Sequence, residues 1–337
     1  MIKTDLIFLL SATAIAYCVI VLGAYVRLSD AGLGCPDWPG CYGQLLVPED
    51  QAAVAEANQA FPQRPLEQAA AWKEMIHRYA ASTLGFIILL LALRNWYAVY
   101  KGEQRLLYSR AFLLGLVMFQ GALGMWTVTL LLKPLIVDAH LLGGMTILSL
   151  LFWETLRTVD AGKTAKPITN GVASKWVLLV IGIVFVQIAL GGWTSANYSA
   201  LVCTDFPKCQ GRWWPEMNFK EAFVLWRGLG VDYEGGVLEG TARTAIHVSH
   251  RIGALVTFLA VSLLAIYSIT RGSRRIRFAA AFVGIALLLQ VALGIANVLM
   301  LLPLPVAVAH NGVAALLLLS LVNLLYLSRM GRAQTGQ

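Results

Sequence analysis

The sequence predicts an all-α membrane protein with eight transmembrane helices, arranged as two four-helix bundles related by a pseudo-twofold. Three observations carry this. Of 337 residues, 58% are hydrophobic and only 13% are charged, about half the ~25% charged fraction of a soluble domain. Apolar runs long enough to cross a ~30 Å hydrocarbon core recur eight times. The second half of the chain also repeats the first. This composition excludes a disordered chain, a nucleic-acid-binding module and an ordinary soluble enzyme. The net charge of +8 then reports loop orientation rather than an acidic partner.

The runs lie near residues 7–27, 74–99, 108–131, 138–158, 174–197, 244–270, 277–301 and 306–328. Each is read as a helix, because a span must satisfy its own backbone amides. Span 1 looks like a signal peptide at first sight. It has a repeat partner in span 5, so it is counted as a helix of the bundle. Cys18, in its middle, is read as a packing residue.

Lysine and arginine set the orientation. The N-terminus, the loops after spans 2, 4 and 6 and the tail carry Lys3, Lys101, Arg105, Arg110, Lys163, Lys166, Lys175, Arg271, Arg274, Arg275, Arg277, Arg329 and Arg332. The long segments 28–73 and 198–243 hold most of the acids. Both termini are therefore expected on the cytoplasmic side of the cell membrane, with the two long loops outside.

The repeat is visible without gaps. LGAYVRLSDAGLGCPDWPGC (22–41) lies over LGGWTSANYSALVCTDFPKC (190–209), pairing Cys35 with Cys203, Cys41 with Cys209, Gly23 with Gly191 and Asp37 with Asp205. FQGALGMWTVTLLLKPLIVDAH (119–140) lies over LQVALGIANVLMLLPLPVAVAH (289–310), with nine of 22 positions identical. EMIHR (74–78) aligns with HVSHR (247–251). Each half has four spans, and an even number makes the repeats parallel. The halves are 1–165 and 166–337.

Four of the five histidines form repeat-related pairs, His77 with His250 and His140 with His310. Each lies near the outward end of an even-numbered span. A single membrane histidine commonly just bonds a neighbouring helix. Four at two equivalent positions point to function. Two imidazoles facing each other in a helical bundle are axial ligands for a haem iron. Zinc would need further protein ligands: the second half has His247, the first only Glu74. Arg78 and Arg251 directly follow the ligand candidates. They either pair with haem propionates or snorkel to headgroups.

Glu74 breaks the symmetry, since its counterpart is His247. At i, i+3 it shares a helix face with His77. It is either a catalytic carboxylate beside the first haem position or an interfacial acid favoured by the helix dipole. The pairs Cys35/Cys41 and Cys203/Cys209 are read as two disulfides in outward loops, the first also a candidate redox pair. Gln120, Gln187 and Gln290 head a repeated Q-x-A-L-G on odd spans. They are assigned to helix packing and to the polar wall of the haem pockets.

GAYVRLSDAGLGCPDWPGCYG (23–43), EMIHR, the HR of span 6 and the two A-H positions resemble the heme A synthase family over essentially the whole chain. The resemblance implies an oxidoreductase that converts heme O to heme A, oxidising a ring methyl through an alcohol to an aldehyde for terminal oxidase assembly. It implies substrate haem on His77 and His140, haem b on His250 and His310, and a functional Glu74. The implied partners are heme O as substrate, heme O synthase, an electron-transfer partner and membrane lipid. Homo-oligomers are compatible with the sequence. The rival is a b-type cytochrome electron carrier. It would need haems near both membrane faces, whereas all four ligand candidates sit toward one. A duplicated transporter would leave the histidine pairs unexplained.

Overall fold

The computed structural model describes residues 2–103, 107–161 and 172–330. The predicted boundary between the halves lies outside these residues, as do Arg105, Lys163, Lys166 and Arg332. The described residues form ten helices and no strand beyond two isolated bridges, Cys41 with Gln44 and Cys209 with Arg212. Eight helices are long and apolar enough to cross a membrane, so the chain is a multi-pass membrane protein. They are α1 (Ile2–Leu28), α3 (Gln68–Tyr100), α4 (Tyr108–Thr129), α5 (Pro134–Asp160), α6 (Ser174–Ala196), α8 (Gly240–Arg271), α9 (Arg274–Leu299) and α10 (Leu304–Met330).

All eight predicted spans are present, but several start earlier. α3 begins six residues before its apolar run and α8 four residues before. Hydropathy marks only the part of a helix that lipid covers, and these polar first turns project beyond it. α5 starts with Pro134 in its first turn, where the missing N–H has no intrahelical partner to lose. Two short helices in the long loops escaped prediction. α2 (Gln51–Ala60) is capped by Asp50, whose side chain accepts from the Ala53 N–H, and α7 (Phe219–Ala222) by Asn218 accepting from Glu221. Neither carries an apolar run.

α1, α3, α4 and α5 pack as a closed ring, each touching the next, and α6, α8, α9 and α10 do the same. The halves meet through α1 on α10, α5 on α6 and α5 on α10. Exchanging α1 with α6 and α5 with α10 maps this set onto itself. A continuous apolar core runs through both halves, with Leu9, Ile88, Leu113, Leu148, Leu151, Val261, Leu318 and Leu321 all buried. Opposite the long loops, Asp5 accepts from Arg110 at 2.8 Å and from Arg94 at 3.2 Å, tying α1, α4 and α3 together. Arg110 is therefore not a solvated loop charge but a buried, paired one. Cys18, read as a packing residue, faces outward on α1 with its side chain exposed.

The repeat persists in the backbone where side chains have diverged. Asp30 and Tyr198 share a left-handed φ (51° and 52°), as do Tyr42 and Gln210 (both 55°). At the α4–α5 turn Leu131 and Leu132 have φ of 51° and 58°, matched by Leu301 and Leu302 at the α9–α10 turn with 59° and 62°. Bulky residues avoid this region by roughly 1–2 kcal/mol each, so packing must hold these turns. Leu132 is buried with Leu33, Val128 and Tyr233.

The long loops are organised by their cysteines. Cys35–Cys41 and Cys203–Cys209 are disulfides with S–S of 2.04 and 1.97 Å. Inside the first, Asp37 accepts from the Tyr42 and Gly43 N–H groups at 2.6 and 2.8 Å. Inside the second, Asp205 accepts from Gln210 and Gly211 at 2.7 and 2.9 Å. These bonds, Gly211 first, hold the Asp205 carboxyl below the usual carboxylate range. The brace therefore survives as pH falls until that lowered value is passed. The second loop also reaches across onto the first half. Lys133, 1% exposed, donates to the Gly228 carbonyl and lies 3.3 Å from the Trp226 ring centroid, and burial pushes its ammonium pKa down. Tyr233 N–H donates to the Leu131 carbonyl at 3.1 Å. Arg64 pairs with Asp232 at 2.8 Å and Glu234 at 3.0 Å.

Mass spectrometry of protein isolated without reductant should find Cys35 joined to Cys41 and Cys203 joined to Cys209, with Cys18 alkylated. Opening one such short loop should cost about 2 kcal/mol of stability. Cross-loop pairings would contradict this arrangement.

Candidate functional site

The four repeat-paired histidines are packed by one device. A Cβ added to Gly23 on α1 would lie 3.0 Å from Cε1 of His77 on α3. The same construction on Gly124 of α4 meets His140 of α5 at 3.3 Å, on Gly191 of α6 meets His250 of α8 at 3.2 Å, and on Gly294 of α9 meets His310 of α10 at 3.1 Å. Each imidazole thus occupies the space that a side chain on the preceding odd span would fill. His77 on α3 and His140 on α5 are carried by two helices that both pack on α1 and α4, and His250 on α8 and His310 on α10 by two that both pack on α6 and α9. The two helices of each predicted pair belong to one ring of four.

The residue one turn before each glycine contributes next. Gln120 donates from Nε2 to the His140 carbonyl at 2.6 Å. Gln187 Nε2 lies 3.0 Å from His250 Nδ1 and 3.1 Å from the His250 carbonyl. Gln290 Nε2 lies 3.3 Å from His310 Nε2. The fourth position, before Gly23, is Val19, and only its backbone carbonyl faces His77. The Q-x-A-L-G glutamines therefore contact the histidines themselves.

Glu74 is 5% exposed. It accepts from the Cys35 N–H at 2.9 Å and from Arg78 at 2.5 Å. Arg78 donates onward to the carbonyls of Asp37, Pro39 and Gly40. Arg251 does the same in the second half, reaching the carbonyls of Cys203, Asp205 and Lys208. Both guanidiniums thus pin a disulfide loop onto the helix that carries a histidine. Sequence reasoning missed this role, although an Arg after each histidine and an Asp inside each cysteine loop are shared by both repeats. His247, in the place of Glu74, contacts the Ser199 carbonyl at 2.9 Å through Nδ1. The first half anchors its loop by a backbone N–H, the second by a carbonyl.

Asp138 was also overlooked. It lies two residues before His140, its repeat counterpart is Val308, and its buried Oδ1 has no hydrogen-bond partner. It fits against α6 because Gly192 has no side chain.

The donor set fits haem. Each half offers two neighbouring imidazoles inside apolar spans. The Nδ1 atoms of His77, His140 and His310 and the Oε1 atoms of all three glutamines are buried without a hydrogen-bond partner. A ring bound to iron through one nitrogen needs an acceptor for the other, and these are the groups beside it. Among the described residues, no three His, Cys, Asp or Glu side chains gather into a metal cage.

A family model described as "Cytochrome oxidase assembly protein" matches residues 6–322. A protein of Shewanella oneidensis named "Heme A synthase" is 45% identical, covering 91% of this chain and 92% of its own length. Proteins of the same name from Caulobacter vibrioides and Granulibacter bethesdensis are each 27% identical over 93% and 94% of this chain. The similarity runs through both repeats.

Gly191→Ala and Gly294→Ala should each destabilise the detergent-solubilised protein by about 1–3 kcal/mol relative to Gly284→Ala, because overpacking must displace a ring. A Cβ on Gly284 meets nothing within 4 Å, so that variant controls for helix propensity. Chemical unfolding of the three variants side by side measures the difference. Equal stabilities would remove the cradle.

Proposed function

The chain belongs to the COX15-CtaA family of cytochrome oxidase assembly proteins, and from that premise we propose that it is a heme A synthase. It acts as a membrane oxidoreductase, oxidising one ring methyl of heme O through an alcohol to the formyl group of heme A. The observation that carries this reading is whole-chain similarity to proteins of that name in a chain whose four repeat-related histidines each stand against a glycine at equivalent positions of the two halves. The half 1–165 holds substrate heme O between His77 and His140. The half 166–337 holds haem b between His250 and His310, and the two halves are related by a pseudo-twofold. The protein sits in the cell membrane with both termini cytoplasmic. Heme O synthase and an electron-transfer protein are its working partners.

When bound, haem b supplies one-electron redox chemistry. The remaining tasks fall to the chain. His77 and His140 would hold the substrate heme O between them, leaving the ring methyl to be oxidised to the residues around the ring's edge. The apolar core of α1, α3, α4 and α5 excludes water. Glu74, within one turn of His77, takes a proton or steadies positive charge developing at the methyl carbon. Arg78 fixes its carboxylate and, through the Cys35–Cys41 loop, the entrance above it. Arg78 and Arg251 remain the nearest candidates for the propionates. The Cys35–Cys41 pair is either a structural staple of this loop or a redox participant.

Expression in a host that makes heme O tests the reading: extracted membranes should gain heme A. His250→Ala and His310→Ala should each remove tightly held haem b, and a normal low-spin haem b spectrum in both would refute the second-half assignment. Glu74→Gln should keep the fold and haem b but slow heme A formation by about 10²–10³-fold, the ~3–4 kcal/mol of one electrostatic group. Wild-type heme A at normal expression would reduce Glu74 to a loop anchor.

A further inference from the structure

We propose that the side chain one turn before each cradle glycine sorts the two haem sites: glutamine fixes a ligand histidine, and Val19 makes His77 the ligand that releases. This rests on the assignment of substrate to the first half and haem b to the second.

The four positions are equivalent. Val19 and Gln187 correspond in the repeat, as do Gln120 and Gln290, and each lies four residues before its glycine. In the second half both histidines have an amide beside them. Gln187 Nε2 lies 3.0 Å from His250 Nδ1 and Gln290 Nε2 lies 3.3 Å from His310 Nε2. In the first half only His140 has one, and there the amide bonds the His140 backbone at 2.6 Å. His77 has no side-chain amide beside it; its Nδ1, like those of His140 and His310, is buried without a hydrogen-bond partner.

An amide carries a donor at one end and an acceptor at the other. Gln187 has its Oε1 buried and unpaired. Turning the amide gives up the bond from Nε2 to the His250 carbonyl and places that oxygen against His250 Nδ1, where it can accept the proton of an imidazole bound to iron through its other nitrogen. Such outer partners set ring orientation and basicity, and losing one typically costs 10–100-fold in metal affinity. A resident haem needs both ligands held. A substrate that enters and a product that leaves need one ligand that lets go. Of the four histidines, His77 is the one whose position a turn before the glycine carries no amide, and only the Val19 backbone carbonyl faces it.

The test uses the full-length protein, purified from a heme-O-producing host. Haem retained per chain and carbon monoxide binding to the reduced protein are measured, because a ligand that lets go opens the iron to the gas. In the wild type, carbon monoxide should bind the first-half haem only. Gln187→Val should make haem b reactive and weaken its retention 10–100-fold. Gln187→Glu should restore inertness, since a carboxylate also accepts the Nδ1 proton. Val19→Gln should raise first-half haem toward one per chain after purification and suppress its reactivity. Loss of haem b in His250→Ala, together with wild-type behaviour of Gln187→Val and Val19→Gln, would overturn the sorting and leave the site assignment standing. Retention of haem b in His250→Ala would overturn both.

Discussion

An imidazole can lie between two transmembrane helices only where the neighbouring helix gives up its side chain. Gly23, Gly124, Gly191 and Gly294 make that concession, and each meets a histidine ring at 3.0–3.3 Å from where its Cβ would be. The contact fixes how closely the odd and even spans approach, and so how each ring of four helices closes. It also draws a polar group into an apolar interior. That group is costly there unless something bonds it, and the glutamines one turn away lie in its reach. The spacing Q-x-x-x-G on an odd helix and a histidine on the next even helix is thus one packing unit, used three times whole and once without its amide.

The outer loops answer a different requirement. Each disulfide loop is closed covalently, braced inside by an aspartate, and then tied to the histidine-bearing helix by an arginine that donates to three loop carbonyls. The tie works because loop carbonyls near an apolar boundary would otherwise lack donors. The halves diverge where Glu74 accepts an N–H and His247 contacts a carbonyl. One anchor brings a negative charge to the mouth of its bundle and the other does not. A duplicated scaffold can thereby keep its architecture while its two mouths differ electrostatically.

Much of this was legible in the sequence. Eight apolar runs gave eight helices, because hydropathy reports the one solvent constraint a span cannot evade. The histidine pairs, both disulfides and the repeat followed from residue identity and offset alone. The ends of α3 and α8 did not, since a helix that projects beyond lipid looks like a loop to a hydropathy scale. Cys18 was read only as a packing residue, and that α1 turns it outward was hidden, because an apolar span carries no amphipathic signal to tell its two faces apart. The partners of Arg78 and Arg251 were hidden because they are backbone carbonyls, which every residue has. Asp138 shows the reverse case. Its place in span 4 was visible, but its seat depends on Gly192 in the other half, a contact no local pattern encodes.

The strap formed by residues 226–236 gives the two halves a history as well as a geometry. Trp226 over Lys133 and Asp232 and Glu234 on Arg64 join groups about 90–170 residues apart in the chain. The first bundle ends at Asp160, 76 residues before the strap does, so synthesis at ~5–20 residues per second completes it roughly 4–15 s before its covering segment exists. Until then Lys133 has neither the Gly228 carbonyl nor the Trp226 ring beside it, and the left-handed Leu131–Leu132 turn lacks Tyr233 against it. The duplicate is therefore not a second copy working beside the first. Its loop finishes the first bundle, so the older half of each new molecule is completed by the younger.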